Sequence, residues 1–150
     1  GSHASRKRLI GVFEKDERID FMFHNNKGFI KAFKDRSPLY ERYLMIMKSC
    51  PFSLCCRGDG NFSIRFYETL CAGRIPVLLD TDIVLPKENV IDWDSVIIKD
   101  TDENELIKKV IAWNNKGPDF LAEAQQKCFD VWYTQLRTEN FFSGFGGTEK

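Results

Sequence analysis

Residues 52–80 read FSLCCRGDGNFSIRFYETLCAGRIPVLLD, which predicts a strand, a glycine loop, a short helix and a second strand in close succession. The first strand is expected over residues 52–56, the helix over 63–72 and the second strand over 75–79. Gly73 follows the helix, where a residue without a side chain readily ends a helix. The second strand is continuously apolar, which is typical of a parallel strand covered on both faces.

The loop between the first strand and the helix has the residue types that suit an anion. A glycine loop at a helix N-terminus presents clustered backbone N–H groups and the positive end of the helix dipole, which together attract a phosphate. On the helix, Arg65 and Glu68 are three residues apart and therefore share a face. An arginine can grip a diphosphate through two parallel hydrogen bonds, and a carboxylate can accept both hydroxyls of a ribose. The candidate binding residues are Arg57, Gly58, Gly60, Asn61, Ser63, Arg65 and Glu68.

Strands and helices alternate along the rest of the chain, which predicts an α/β fold with a parallel sheet. The other predicted elements are strands at 9–13 and 19–23, a helical segment at 29–33, a helix capped by Ser37 and ended by Pro51, a buried run at 96–98, a helix capped by Thr101 and a helix over 118–139. Ligands of such sheets bind beyond the carboxyl ends of the strands. The loops after Cys56 and Asp80 are therefore expected to line one cleft.

Length and charge exclude several classes of protein. The 150 residues suffice for one domain with a core, residues 5–150, and residues 1–4 have the sequence of a tag remnant. Lys+Arg and Asp+Glu both number 22, which argues against a nucleic-acid binder with a broad basic face. The basic run at residues 6–8 is interpreted as a solvated lead-in. No apolar run approaches the roughly 18 residues that a membrane helix needs.

The five cysteines are odd in number and show no zinc-site spacing. They are interpreted as reduced, mostly buried thiols of a reducing compartment. A cytoplasmic location is therefore favoured for this segment, with the Golgi lumen as the alternative if the full-length protein is a membrane-anchored eukaryotic protein.

Two other functions compete for the glycine loop. It nearly fits a dinucleotide fingerprint, with Ser63 in place of the third glycine and Asp80 about twenty residues after the loop, where the ribose-binding acid belongs. That fingerprint usually follows the first strand of its domain, whereas two candidate strands precede this loop. It is not a P-loop, because Asn61 follows the second glycine. A non-catalytic module that binds a ligand or a partner protein also stays open.

Asp80 and Asp82 form an Asp-x-Asp pair after the second strand. Carboxylate oxygens suit magnesium or manganese, and such a pair can hold a metal against a nucleotide diphosphate. The same acids are also ordinary in a solvent-facing loop, so the pair alone is weak support for a metal site.

The stretch from residue 52 to residue 77 closely resembles the signature of exostosin-like glycosyltransferases. The resemblance continues through Leu85-Pro86, the segment IDWDSV at 91–96 and the acidic start of the next helix, and it covers roughly residues 43–113. One departure is Cys56, where the family often has proline.

This resemblance implies the C-terminal, donor-binding half of a GT-B fold, a Rossmann-like domain that binds a nucleotide diphosphate sugar, with uridine diphosphate as the expected nucleotide. The family's glycine loop, arginine and glutamate correspond to Gly58, Gly60, Arg65 and Glu68, with Asn61 and Ser63 as polar contacts. Such enzymes generally need no metal. The acceptor-binding half, with the catalytic base, is expected to precede this segment, so the chain alone is expected to hold a donor without transferring it.

Overall fold

The computed structural model describes residues 2–22, 37–57 and 63–141. Its helices are α1 (Ser2–Lys15), α2 (Ser37–Ser49), α3 (Ile64–Cys71), α4 (Glu103–Asn114), α5 (Pro118–Val131) and α6 (Thr138–Phe141). Its strands are β1 (Phe52–Cys55), β2 (Ile75–Leu79) and β3 (Ile98–Asp100), with a 3-10 turn at Trp93–Ser95 and a π-helical segment at Trp132–Leu136.

The three strands form one parallel sheet in the order β1-β2-β3. Phe52 pairs with Ile75, and Val77 pairs with Ile98. All five residues of the central strand β2 are buried, as its apolar run predicts. The flanking helices complete an α/β fold, which confirms the predicted fold class. Because the strands are parallel, their carboxyl ends share one edge of the sheet.

Helix α3 connects the sheet to the rest of the core. Phe66 and Leu70 are buried on its inner face, and the Phe66 ring lies 5.4 Å from the ring of Trp93. The hydroxyl of Thr69 donates to the Arg65 carbonyl at 2.6 Å, and its oxygen contacts the Cys55 sulfur at 3.6 Å. These contacts fix α3 against β1, so the position of its exposed face is set by the sheet.

The predicted order of strand, helix and strand around residues 52–80 is confirmed, including the helix end at Gly73, whose φ is +61°. Helix α2 runs from Ser37 to Ser49, which confirms the predicted helix before Pro51. The start of α4 differs from its prediction by one residue. Asp102 caps α4 instead of Thr101, because its carboxylate accepts hydrogen bonds from the amides of Asn104 and Glu105 at 2.9 and 3.0 Å.

The two strands predicted near the N-terminus are wrong. Residues 9–13 belong to α1, where Leu9 and Phe13 are both buried and lie one helical turn apart. A five-residue apolar run fits both periodicities, and burial of positions i and i+4 is satisfied by the helix. Residues 19–22 form no strand, and the segment 29–33 lies outside the described residues.

Two boundaries in the C-terminal half also shift. Val96, Ile97 and Ile98 are buried as expected, but β3 begins only at Ile98. The helix predicted over 118–139 ends at Val131. There the chain widens into a π-helical turn, in which the Arg137 amide donates to the Trp132 carbonyl at 2.9 Å, and α6 follows. Among the helices described, none is long and apolar enough to cross a membrane.

Candidate functional site

The structure places part of the predicted binding set at the carboxyl edge of the sheet. Arg57 follows β1, and Ser63 is the N-cap residue of α3. Arg65 and Glu68 lie on α3 itself. Gly58, Gly60 and Asn61 lie outside the described residues. The described members therefore mark both ends of the glycine loop and the first turns of the helix that it enters.

Arg65 and Glu68 share an exposed face of α3, as their spacing predicts. The Nε of Arg65 lies 3.9 Å from Oε2 of Glu68, and the two side chains are 42% and 48% exposed. An exposed pair at this distance contributes on the order of 0.2–1 kcal/mol to stability. Both charges are therefore held together loosely and stay accessible to a ligand.

Tyr43 of α2 joins this pair. Its hydroxyl donates a 2.8 Å hydrogen bond to Oε2 of Glu68, and the guanidinium carbon of Arg65 lies 4.2 Å from the centre of its ring. Burial, together with the hydrogen bond to Glu68, raises the pKa of Tyr43 well above its ordinary value. The hydroxyl therefore stays protonated at neutral pH and acts as the donor in this bond.

The loops that follow β1 and β2 line one cleft, as the parallel sheet predicts. Cys56 and Arg57 supply one wall, and Leu79 with Thr81 supplies another. Helix α1 adds a third wall through Ser5, Arg6 and Leu9, a contribution that the sequence did not predict. The cleft encloses about 10 Å³, roughly the space of one water molecule, so a larger ligand would contact its rim.

The basic run at residues 6–8 is more than a solvated lead-in. Arg8 pairs with Glu103 of α4 at 2.7 Å, which ties α1 to α4. Arg6 faces the cleft instead. Burial raises the pKa of the Cys56 thiol, and the positive charges of Arg6 and Arg65 oppose that rise. The positive charges of α1 and α3 thus both act on the Cys56 thiol at the end of β1, and Arg57 is the next residue in the chain.

The Asp-x-Asp pair follows β2 at the same edge. The amide of Asp80 donates to the Asp100 carbonyl at 2.8 Å, which extends the β2–β3 ladder by one bond. Asp82 adopts a left-handed backbone with φ of 62°. Across residues 2–22, 37–57 and 63–141, no cluster of three or more side chains with metal-ligating groups occurs.

The cysteines are all free thiols, but their burial varies more than predicted. Cys55 and Cys128 are buried, Cys50 and Cys56 are half-buried, and Cys71 is exposed. Burial raises the pKa of both Cys55 and Cys128 to about 12. These two thiols are therefore protonated and belong to the core, and they take no part in the site.

Two residues of this site escaped the sequence analysis. Tyr43 lies 25 residues before Glu68, and no spacing rule connects side chains on two separate helices. Arg6 escaped because the basic run at residues 6–8 was interpreted as a solvated lead-in before a strand at 9–13, whereas helix α1 brings Arg6 to the strand ends.

Comparison with known proteins identifies the family. The family model of the Exostosin GT47 domain matches residues 6–111, from Arg6 in α1 to Ile111 in α4. The Exostosin-1 homolog of Caenorhabditis elegans is 26% identical over 102 residues, which cover 65% of this chain and 27% of that protein. Exostosin-1 of Drosophila melanogaster is 44% identical over 61 residues, which cover 39% and 8% of the two chains.

A plant relative is named for an activity. Probable glucuronosyltransferase GUT1 of Oryza sativa subsp. japonica is 30% identical over 98 residues, which cover 65% of this chain and 21% of that protein. The chain thus spans about a quarter or less of the length of these relatives. Since the family model matches more than half of its residues, this chain belongs to the exostosin GT47 family.

Proposed function

We propose that this chain binds the nucleotide diphosphate sugar of a glycosyltransferase, with uridine diphosphate (UDP) as the nucleotide. The observation that carries the proposal is the exposed Arg65–Glu68 pair on α3, the helix that begins at the carboxyl edge of the sheet. Family membership supports it, and so does the name of the Oryza sativa relative, which is called a probable glucuronosyltransferase. Transfer of a sugar is therefore the activity proposed for the whole protein.

Each charged group at the site has a role in this proposal. Arg65 binds the diphosphate, because a guanidinium can donate two parallel hydrogen bonds to phosphate oxygens. Glu68 accepts hydrogen bonds from the ribose hydroxyls. Ser63 and the backbone N–H groups of the loop hold phosphate oxygens at the N-terminus of α3. Gly58, Gly60 and Asn61 belong to this proposal from the sequence alone.

Binding without a metal ion is part of the proposal. Arg6, Arg57 and Arg65 bring three positive charges toward the end of β1 from three different segments. Preorganised cations and helix N-terminal N–H groups can stabilise the charge that develops on a departing diphosphate. Asp80 and Asp82 are then surface acids of the loop after β2, with no ligand role.

The partner in this proposal is a second, acceptor-binding half of a GT-B enzyme. The match covers 27% of the Caenorhabditis elegans relative, and the described residues of this chain contain one three-stranded parallel sheet. The catalytic base is assigned to that second half. This chain then holds the donor, and transfer requires both halves.

Isothermal titration calorimetry tests the proposal with UDP and NAD as separate ligands, each with and without EDTA. UDP is expected to bind, with an affinity that the chelator leaves unchanged, and NAD is expected not to bind. Binding of NAD alone would support the dinucleotide alternative based on Gly58, Gly60 and Asp80. If neither UDP nor NAD binds, the result would contradict the proposal and favour a non-catalytic module that binds another ligand or a partner protein. If EDTA abolishes UDP binding, the result would support Asp80 and Asp82 as ligands of a metal ion.

A further inference from the structure

We infer that Tyr43 is a positioning residue that orients both Arg65 and Glu68, and that its hydroxyl sets the preference of the site for ribose over deoxyribose. The inference rests on the proposed function, since it assigns Glu68 to the ribose and Arg65 to the diphosphate. It concerns a side chain of α2, a helix outside the glycine loop and outside α3.

The ring of Tyr43 supports the cation. The Arg65 guanidinium carbon lies 4.2 Å from the ring centre, within the range of a favourable cation–π contact. Among the described residues, the other polar contact of the Arg65 guanidinium is the 3.9 Å approach of its Nε to Glu68. The ring therefore holds the guanidinium in place while both terminal nitrogens stay available for phosphate oxygens.

The hydroxyl of Tyr43 fixes the carboxylate. Tyr43 and Arg65 both approach the same oxygen of Glu68, Oε2. Within the described part of the chain, Oε1 has no hydrogen-bond partner. A carboxylate held by one oxygen has a defined rotation, and the second oxygen then points to a fixed place. Oε1 is the atom that we assign to the 2′-hydroxyl of the ribose, the group that deoxyribose lacks.

These two contacts can be removed separately. Tyr43→Phe keeps the ring beneath Arg65 and removes only the hydrogen bond to Glu68. Tyr43→Leu removes both contacts. Tyr40→Phe is a matched control, because Tyr40 lies on the same helix, is 60% exposed and has its ring centre 6.4 Å from that of Tyr43. Among the described residues, the hydrogen bond to Glu68 comes from Tyr43, so Tyr40→Phe removes a tyrosine hydroxyl and leaves that bond in place.

The readout is the ratio of the affinities for UDP and 2′-deoxy-UDP, measured by calorimetry. Tyr43→Phe is expected to weaken UDP binding about tenfold, the scale of one hydrogen bond to a charged group, and to weaken 2′-deoxy-UDP binding by less than about threefold. Tyr43→Leu is expected to weaken the binding of both ligands. Tyr40→Phe should leave both affinities unchanged. Far-ultraviolet circular dichroism confirms that each variant is folded.

The outcomes separate this inference from the proposed function. If the unaltered chain binds UDP and Tyr43→Phe retains both its affinity and its discrimination against 2′-deoxy-UDP, the positioning role is overturned while the proposed function stands. Equal losses for UDP and 2′-deoxy-UDP in Tyr43→Phe would also overturn it, because a structural role alone predicts that result. If the unaltered chain binds no UDP, the proposed function itself fails.

Discussion

Arg6 of α1 and Arg57 after β1 lie on the rim of the same cleft, although 51 positions separate them in the sequence. The helix brings Arg6 to the strand ends, whereas its neighbour Arg8 turns to Glu103. The family match begins at Arg6, so α1 is part of the domain and not an appendage. The anion-binding face that we propose therefore has contributions from α1, the segment after β1, and α3.

Replacing Arg6 with alanine should weaken UDP binding about three- to tenfold and make the affinity less sensitive to salt. The reason is that an exposed guanidinium acts on a diphosphate mainly through charge, which dissolved ions screen. Calorimetric titrations at low and high salt measure both effects. Lys7→Ala is the matched control, since Lys7 is the adjacent exposed cation of α1. Equal losses in the two variants would contradict a specific role for Arg6.

The Phe66 side chain is expected to be a main contributor to stability. It is 1% exposed, and its ring contacts Tyr67 at 5.3 Å and Trp93 at 5.4 Å between centroids. Phe66→Ala should lower the free energy of unfolding by about 3–5 kcal/mol, because a large cavity replaces the ring. Urea denaturation measures this loss. Ile64→Ala on the same helix, at a 65% exposed position, should cost less than about 0.5 kcal/mol.

Gly73 ends α3 in a left-handed conformation with φ of +61°. An added Cβ would meet the Gln125 carbonyl oxygen at 3.5 Å and the Phe129 Cβ at 3.6 Å, which are ordinary contacts. The cost of Gly73→Ala is therefore conformational and is expected to be about 1–2 kcal/mol in unfolding free energy. Gly73→Asn should cost less, since asparagine tolerates this region. Urea denaturation compares the two, and a larger loss for asparagine would indicate steric conflict instead.

Stability should fall as the pH rises above about 9. Burial raises the pKa of Cys55 and Cys128 to about 12, whereas an unfolded thiol titrates near 8.5. Between these values the folded chain holds more protons than the unfolded chain, so unfolding becomes easier with increasing pH, by up to about 1.4 kcal/mol per unit for each thiol. Urea denaturation of the reduced protein at pH 8, 9 and 10 measures this slope.

A variant isolates the contribution of one thiol. Cys128→Ala should give a shallower dependence of stability on alkaline pH, even though it lowers stability at pH 8 by leaving a small cavity. Cys71→Ala changes an exposed thiol and should leave the slope nearly unchanged. The same slope in Cys128→Ala and in the unaltered chain would show that the Cys128 thiol does not resist ionisation.

The segment around the glycine loop was predictable because its signals are local. Gly73 marks a helix end, and the apolar run of β2 marks a buried strand, whatever lies elsewhere in the chain. The region before it was not predictable in the same way, since the run at residues 9–13 fits a strand and a helix equally well. Only the packing of Leu9 and Phe13 against the core separates the two. Periodicity contains no information on such packing.

The site shows the same division. Arg65 and Glu68 were predictable as a pair because both lie on one helix at a spacing that defines a shared face. Tyr43 reaches that pair from α2, and the contact depends on how two helices pack beside β1. Packing between separate elements is a property of the tertiary structure. Residues of this kind are found only when the fold is known.

Titration of UDP and of uridine monophosphate (UMP) into the unaltered chain and into Arg65→Ala tests the central claim most directly. Lys108→Ala is the control, because Lys108 also forms an i,i+3 ion pair on a helix surface, with Glu105 at 2.6 Å. Arg65→Ala is expected to weaken UDP binding about a hundredfold, the scale of two charge-assisted hydrogen bonds, and to remove most of the preference for UDP over UMP. Lys108→Ala should change neither affinity. UDP binding of unchanged strength in Arg65→Ala would contradict the assignment of Arg65 to the diphosphate.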